Sequence, residues 1–195
     1  MKRISSIALG LIMVLFCSPD SQAQRIKTTS GDENILKGET TINIEFVYDG
    51  LSVGKYDKEA DYIKAKTDEY NKKEPGRGDS WAKSWVSDRE SRFEPRFINE
   101  FQDATGMTVK KDAKYTLVFK TTSIEPGYNI VISRKNAEID AVAWIIETGK
   151  PDKKLAEFTI NNAPGRIYGG YDYDTGTRIQ EAYAVSGKRL GKYLK

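Results

Sequence analysis

Residues 137–160 alternate with a period of two. Ala137, Ile139, Ala141, Ala143 and Ile145 fall on one face, and Glu138, Asp140, Val142, Trp144 and Ile146 on the other, because successive strand side chains point to opposite faces. The first face is apolar throughout; the second becomes so halfway along. Glu147-Thr148-Gly149-Lys150-Pro151-Asp152 is a turn cluster, after which apolar positions resume at Leu155, Ala156, Phe158 and Ile160. This predicts a hairpin near the middle of a sheet.

Upstream, residues 41–48 set Ile42, Ile44, Phe46 and Tyr48 against Asn43, Glu45 and Val47, a half-buried strand ended by Asp49-Gly50. Asp57 is an N-cap candidate for a surface helix through about Asn71, with few apolar contacts beyond Ala60, Ile63 and Tyr70. Residues 72–80 contain Pro75, Gly76 and Gly78 and are expected to be a loop. Their Arg77-Gly78-Asp79 spells a cell-adhesion tripeptide, but glycine between charges is ordinary loop chemistry. Trp81, Trp85, Phe93, Phe97 and Phe101 follow at steps of four or eight, the spacing of a core-facing helix. Ser87 and Glu90 have capping-box spacing, Pro95 should kink or restart the helix, and Gly106 suits its C-terminal end.

Residues 115–123 read as a strand, Glu125-Pro126-Gly127 as its turn, and residues 128–133 as a further strand. A closing helix is predicted from about Thr175 to Leu194, with Ile179, Ala182, Tyr183, Leu190, Tyr193 and Leu194 on one face. Ala184, Gly187 and Gly191 form a second row of small residues. Glycine is unfavourable inside a helix, so this row points to backbone approaching backbone, expected on the Ala-rich face of the hairpin.

The first residues differ in kind. Lys2 and Arg3 precede an apolar run over residues 4–16 that is short for a membrane span, and Ser21-Gln22-Ala23 offers the small residues a signal peptidase reads. The expected leader is residues 1–23, cleaved after Ala23, with a flexible spacer over 24–39 and a single domain over 40–195. The bulky Phe16 before Cys17 does not suit lipid attachment, so Cys17 is expected to leave with the leader. The protein is then exported, periplasmic, outer-membrane-associated or extracellular, and has no thiol for a disulfide. No transmembrane segment is expected in the mature chain.

Composition removes several classes of chemistry. The 195 residues include no histidine, which excludes hydrolases that rely on an imidazole base and ordinary histidine zinc sites. Net charge is close to neutral and well mixed, so neither nucleic acid nor an anionic membrane surface is an expected partner. No phosphate loop or dinucleotide fingerprint is present. Asp172-Tyr173-Asp174-Thr175-Gly176 resembles the start of a calcium loop but has Gly176 at its fifth position and Tyr183 at its twelfth; the simpler role is an N-cap at Asp174 or Thr175. No catalytic residue, cofactor or metal is assigned.

The order of strand, two helices, four strands and a final helix predicts an α+β fold: two layers, a mostly antiparallel four- or five-stranded sheet, and helices mainly on one face. The helix of Phe97 and Phe101, the strand ending in Glu125-Pro126-Gly127, the strand over 138–146 before Gly149, and the helix end at 187–194 together give a pattern. It resembles exported α/β envelope domains of Gram-negative bacteria, typified by the periplasmic domain of the curli-secretion lipoprotein family. That resemblance implies a small envelope domain acting by protein contact or self-association. The chain departs from the family in lacking a convincing lipobox and an apolar segment for a membrane barrel. Two surfaces are candidates for such contact: Val142, Trp144 and Ile146 on the second strand face, and Tyr168, Tyr171 and Tyr173 on a Gly-rich loop. The rival reading is a secreted carbohydrate-binding protein or carboxylate-dependent glycoside hydrolase, for which opposed acids in a deep pocket would be the mark.

Overall fold

The computed structural model describes residues 24–130, 133–165 and 173–195. Among these, the strands are β1 (Arg25–Gly31), β2 (Thr41–Val47), β3 (Ser52–Val53), β4 (Thr108–Val109), β5 (Tyr115–Glu125), β6 (Tyr128–Ile130), β7 (Ser133–Lys135), β8 (Glu138–Glu147) and β9 (Lys154–Pro164). Seven of them form one mixed sheet in the order β1-β9-β8-β5-β2-β4, with β3 paired to β5; β6 and β7 make a separate two-stranded ribbon. The helices are α1 (Glu59–Lys73), α2 (Arg77–Asp88), α3 (Glu94–Thr105) and α4 (Thr175–Leu194).

The α+β class holds, and the predicted central hairpin is β8–β9, antiparallel with Ala143 opposite Phe158 and Ile145 opposite Ala156. The sheet itself is larger and less antiparallel than expected. β2 runs parallel to β5 and to β4, and β3 runs parallel to β5. Parallel neighbours need a long crossover, and the chain from β2 to β5 provides it through α1, α2 and α3. β3 and β4 are two residues each, too short to leave any alternation.

Residues 24–39 are not a loose spacer. β1 pairs antiparallel with β9, Ile26 opposite Ile160 and Thr28 opposite Phe158, and Leu36 is fully buried. The domain therefore includes this stretch. An edge strand rich in Thr, Ser and Lys resists sticking to other edges, and that composition disguised it as a loop.

Two further expectations fail locally. The loop over 72–80 shrinks to the link between Lys73 and Arg77, with Gly76 left-handed at φ 82°. Gly78 lies in the first turn of α2, where a Cβ would come within 2.1 Å of the Thr67 carbonyl oxygen, so Arg77-Gly78-Asp79 is helical and packed on α1. The capping box is absent because the helix does not restart at Ser87: its hydroxyl donates to the Ser84 carbonyl at 3.3 Å inside α2. The chain instead passes through a π turn (Arg89–Phe93), where the Glu94 N–H reaches back to Arg89. Pro95 follows in the first turn of α3, directly after the π turn. Gly106 closes α3 with φ 77°, as expected.

The core lies between the Ala-rich sheet face and the helices. Ala137, Ile139, Ala141, Ala143 and Ile145 are buried, Phe97 meets Phe119 at 4.6 Å, and Phe93 stacks on Tyr183 at 5.0 Å. The glycine row of α4 does make a close approach, but to α3 rather than to the hairpin. A Cβ at Gly187 would stand 2.2 Å from the Phe97 carbonyl oxygen, and one at Gly191 2.9 Å from Ala104 Cβ.

Gly187→Ala should therefore destabilise the protein by about 1–3 kcal/mol through overpacking, despite alanine's better helix propensity. Urea unfolding of the two proteins measures this; a stability gain would refute the close contact.

Candidate functional site

Val142, Trp144 and Ile146 lie on the sheet face opposite the Ala row, as the alternation requires. Register adds a member that sequence reasoning passed over: Val118 of β5 stands opposite Trp144. The resulting patch is narrower than expected. Ile146 and Val118 are each only 5% exposed, while Val142 and Trp144 keep partial exposure. Lys154 covers part of the indole, its Nζ 4.6 Å from the ring centroid, and pairs with Glu157, the residue opposite Trp144 on β9. On the far side Glu45 stands opposite Val118. The open face is thus a small apolar centre bordered by charge.

Tyr168 and Tyr171 lie outside the described residues. Tyr173 does not join the Trp144 face. Its ring meets Tyr70 edge-on at 5.0 Å, the Arg77 guanidinium lies 4.8 Å from its centroid, and its hydroxyl donates to the Arg77 carbonyl at 2.9 Å. It anchors the entry to α4 against α1 and α2.

A cleft of about 230 Å³ opens beside Tyr173, lined by Trp81, Trp85, Asp88, Arg92 and Asp174. Two acids in an aromatic cleft meet the first requirement of the carbohydrate reading. Their chemistry is committed elsewhere. Arg92 binds Asp88 through Nε at 3.1 Å and Asp174 through Nη1 at 2.7 Å. Asp174 also caps α4, accepting from the Thr177 N–H at 3.3 Å, which fulfils the N-cap expectation. Burial opposes the Asp174 charge, but hydrogen bonds from Thr177 and Arg92 together hold its carboxyl below the usual aspartate range. Burial holds Asp88 above that range despite Arg92 beside it. Trp81 and Trp85 are 2% and 3% exposed, so neither presents a ring face for stacking. Besides the expected cap at Asp174, the (i, i+4) spacing of Asp88 and Arg92 is a signal in the sequence for this cluster.

A second polar group sits where β2 meets the π turn. Arg89 grips Glu59 through Nη2 at 2.5 and 2.6 Å and lies 4.3 Å over the Tyr48 ring, while Trp85 Nε1 donates to Glu59 at 2.6 Å. Tyr48 donates to Glu94 at 3.3 Å, and buried Tyr183 is hydrogen-bonded to Thr121 at 2.6 Å. Burial pushes Glu94 up, with the Tyr48 hydroxyl pulling against it, and burial holds both phenols well above the ordinary tyrosine value. These groups are satisfied and structural. Among the described residues no group of three or more His, Cys, Asp or Glu side chains is placed to hold a metal, and no helix is long and apolar enough to cross a membrane.

Fold and exposed groups together define an α+β domain with a helical layer on one sheet face and a half-exposed second face. Comparison with protein families and with curated proteins returns no match. Among solved structures the chain is similar to the PelC dodecamer from Paraburkholderia phytofirmans in two crystal forms. In the C2 form, a PelC variant, 85% of this chain covers 98% of the other at 11% identity and a TM-score of 0.37. In the P6 form the shares are 83% and 96%, again at 11% identity and 0.37. A likeness of that size assigns neither a function nor an assembly to this chain.

Arg92→Ala should cost about 1–2 kcal/mol at neutral pH, since it strands buried Asp88 and takes a charged partner from Asp174, the latter softened by partial solvent screening. Asp174, with its folded pKa lowered, contributes stability above the unfolded aspartate pKa and loses it as pH falls through the folded value. Asp88, with its folded pKa raised, works in reverse and gains on taking up a proton. The difference between parent and variant should accordingly shrink in acid, as followed by urea unfolding at several pH values. A difference constant into acid would assign Arg92 a packing role alone.

Proposed function

We propose that this chain is an exported cell-envelope protein of a Gram-negative bacterium and acts without catalysis, as a protein-interaction or assembly module. The observation that carries the reading is the one-sided covering of the sheet. Helices bury the Ala-rich face, while Val142 and Trp144 stay partly exposed at the centre of the other. A partner or second copy would add the missing layer, and the acidic and basic side chains around Trp144 would set which partner fits. The resemblance to exported α/β envelope domains such as that of the curli-secretion lipoprotein family points the same way. Tyr168 and Tyr171 remain part of the proposed recognition surface on sequence grounds; Tyr173 is better assigned to anchoring α4.

A second reading, carbohydrate binding or carboxylate-dependent glycoside hydrolysis, draws on the cleft of Asp88 and Asp174. It is weaker because one guanidinium neutralises both acids, whereas hydrolysis requires one acid free to give a proton and another free to attack or to activate water.

Light scattering after size exclusion, on protein lacking residues 1–23, tests the first reading. The parent should self-associate or recover a partner. Trp144→Glu should abolish that contact while its far-UV circular dichroism stays that of the parent. A Trp144→Glu protein that is folded and still assembles removes the Trp144 face from the proposal.

A further inference from the structure

A cavity of about 260 Å³ lies beside Tyr128 at the start of β6, walled by the turn after β3, by α1, by the Glu125-Pro126-Gly127 turn and by the start of α4. Three cationic side chains line it: Lys55, Lys66 and Arg178. Lys55 is exposed and forms no ion pair among the described residues, its Nζ standing 5.4 Å from the Tyr56 ring. Lys66 pairs with Glu69 at 2.8 Å. Arg178 is fully buried and is fixed by bonds from Nε to the Pro126 carbonyl at 3.2 Å and from Nη2 to the Gly127 carbonyl at 3.4 Å. The lining includes one carboxylate, Glu125, which is already engaged by Lys135 at 2.7 Å and by the Gly127 N–H at 3.1 Å. The cavity therefore favours a negative charge, with tyrosines among its walls.

The ribbon supplies a second, independent observation. Tyr128 lines the cavity and is 37% exposed, and Ile130 is 46% exposed. The two are separated by one residue on β6 and so share a face, where Lys135 and Ser133 stand opposite them on β7, and the two large side chains form a short apolar ridge beside the cavity. A cationic hollow beside an exposed apolar ridge with a tyrosine at the boundary matches an amphiphile lying at a membrane interface. A free inorganic anion would leave the ridge unused.

We propose that this cavity receives the headgroup of an anionic phospholipid, with Tyr128 and Ile130 resting against the bilayer. The phosphate sits between Lys55 and Lys66, and Arg178 shapes the floor. The chain docks on the surface by this end and does not span the membrane. The Trp144 face belongs to other elements, so neither proposal depends on the other.

The test is flotation of protein lacking residues 1–23 with vesicles of phosphatidylglycerol and phosphatidylcholine, against pure phosphatidylcholine. Calorimetry with inorganic phosphate runs alongside as the headgroup-only control. Lys55 and Ile130 are exposed, so Lys55→Glu and Ile130→Asp should keep the parent's circular dichroism. Binding to the anionic vesicles alone is expected. Lys55→Glu should weaken it by roughly tenfold or more, because it removes one cation and adds an anion at the surface. Ile130→Asp should weaken vesicle binding without changing the response to inorganic phosphate. Equal partition onto neutral vesicles, no partition at all, or parental partition by both variants overturns the proposal. Phosphate binding without vesicle binding overturns the lipid as occupant.

Discussion

The close packing of α4 on α3 decides the shape of this protein. Gly187 and Gly191 let the α4 backbone come to within a side chain's thickness of Phe97 and Ala104, which no residue with a Cβ could allow without displacement. Two helices that near each other fit side by side over one sheet face. Phe97 can then reach Phe119, and Phe93 can stack on Tyr183, so the aromatic row of α3 and the π turn fills the space between helices and sheet. The cost of glycine in a helix, up to about 1 kcal/mol each, is offset by the apolar area that this proximity buries. With α3 and α4 committed to one side, the opposite face is left to its own side chains.

Those side chains explain why the second face is tolerable in water. Trp144 would be a liability if bare, but Lys154 sets its ammonium over the ring and pairs with Glu157. Long charged residues often shield apolar surface in this way. Such a cover is movable, because the pair is solvent-exposed and worth little by itself. A partner could displace Lys154 at small cost and meet the indole beneath. Two helices locked to each other by glycine contacts over the sheet could not be displaced so cheaply, and this asymmetry between the two faces is the physical basis for reading one as core and the other as contact surface.

Much of the architecture was legible in the residues where burial repeats with a clean period. The β8–β9 hairpin, the core-facing aromatic helix, the Asp174 cap and the Gly106 terminus all follow from local chemistry, and each is found. What the pattern could not carry was direction and pairing. Parallel β2–β5 pairing leaves the same alternation as antiparallel pairing would, and β1 hides its strand character behind edge-strand polarity. The glycine row announced a close approach without naming its partner, since small residues are equally suited to a sheet or to another helix. The candidate surface fared similarly: periodicity placed Val142 and Trp144 correctly, but only the cross-strand register brings in Val118 and reveals the cover of Lys154. Tyr173 looked like free loop chemistry because its partners, Tyr70 and Arg77, lie about a hundred residues away in sequence.

The acid cluster at the start of α4 sharpens the contrast between catalysis and structure. A general acid needs a proton to give, and a nucleophile or base needs an unshared lone pair within reach of substrate. Asp88 has the raised affinity for a proton that burial confers, yet it packs against Gly176, where even a methyl group would collide with its carboxylate. Asp174 is held ionised by the groups it caps. Each acid thus has half of a catalytic environment and a structural task that consumes it. Freeing them would mean breaking the Arg92 bridge and uncapping the longest helix in the described structure, so selection for fold stability and for acid–base chemistry would pull these side chains in opposite directions. A surface that recognises by shape makes no such demand on the core, and the open sheet face is compatible with everything that α4 must do to stay in place.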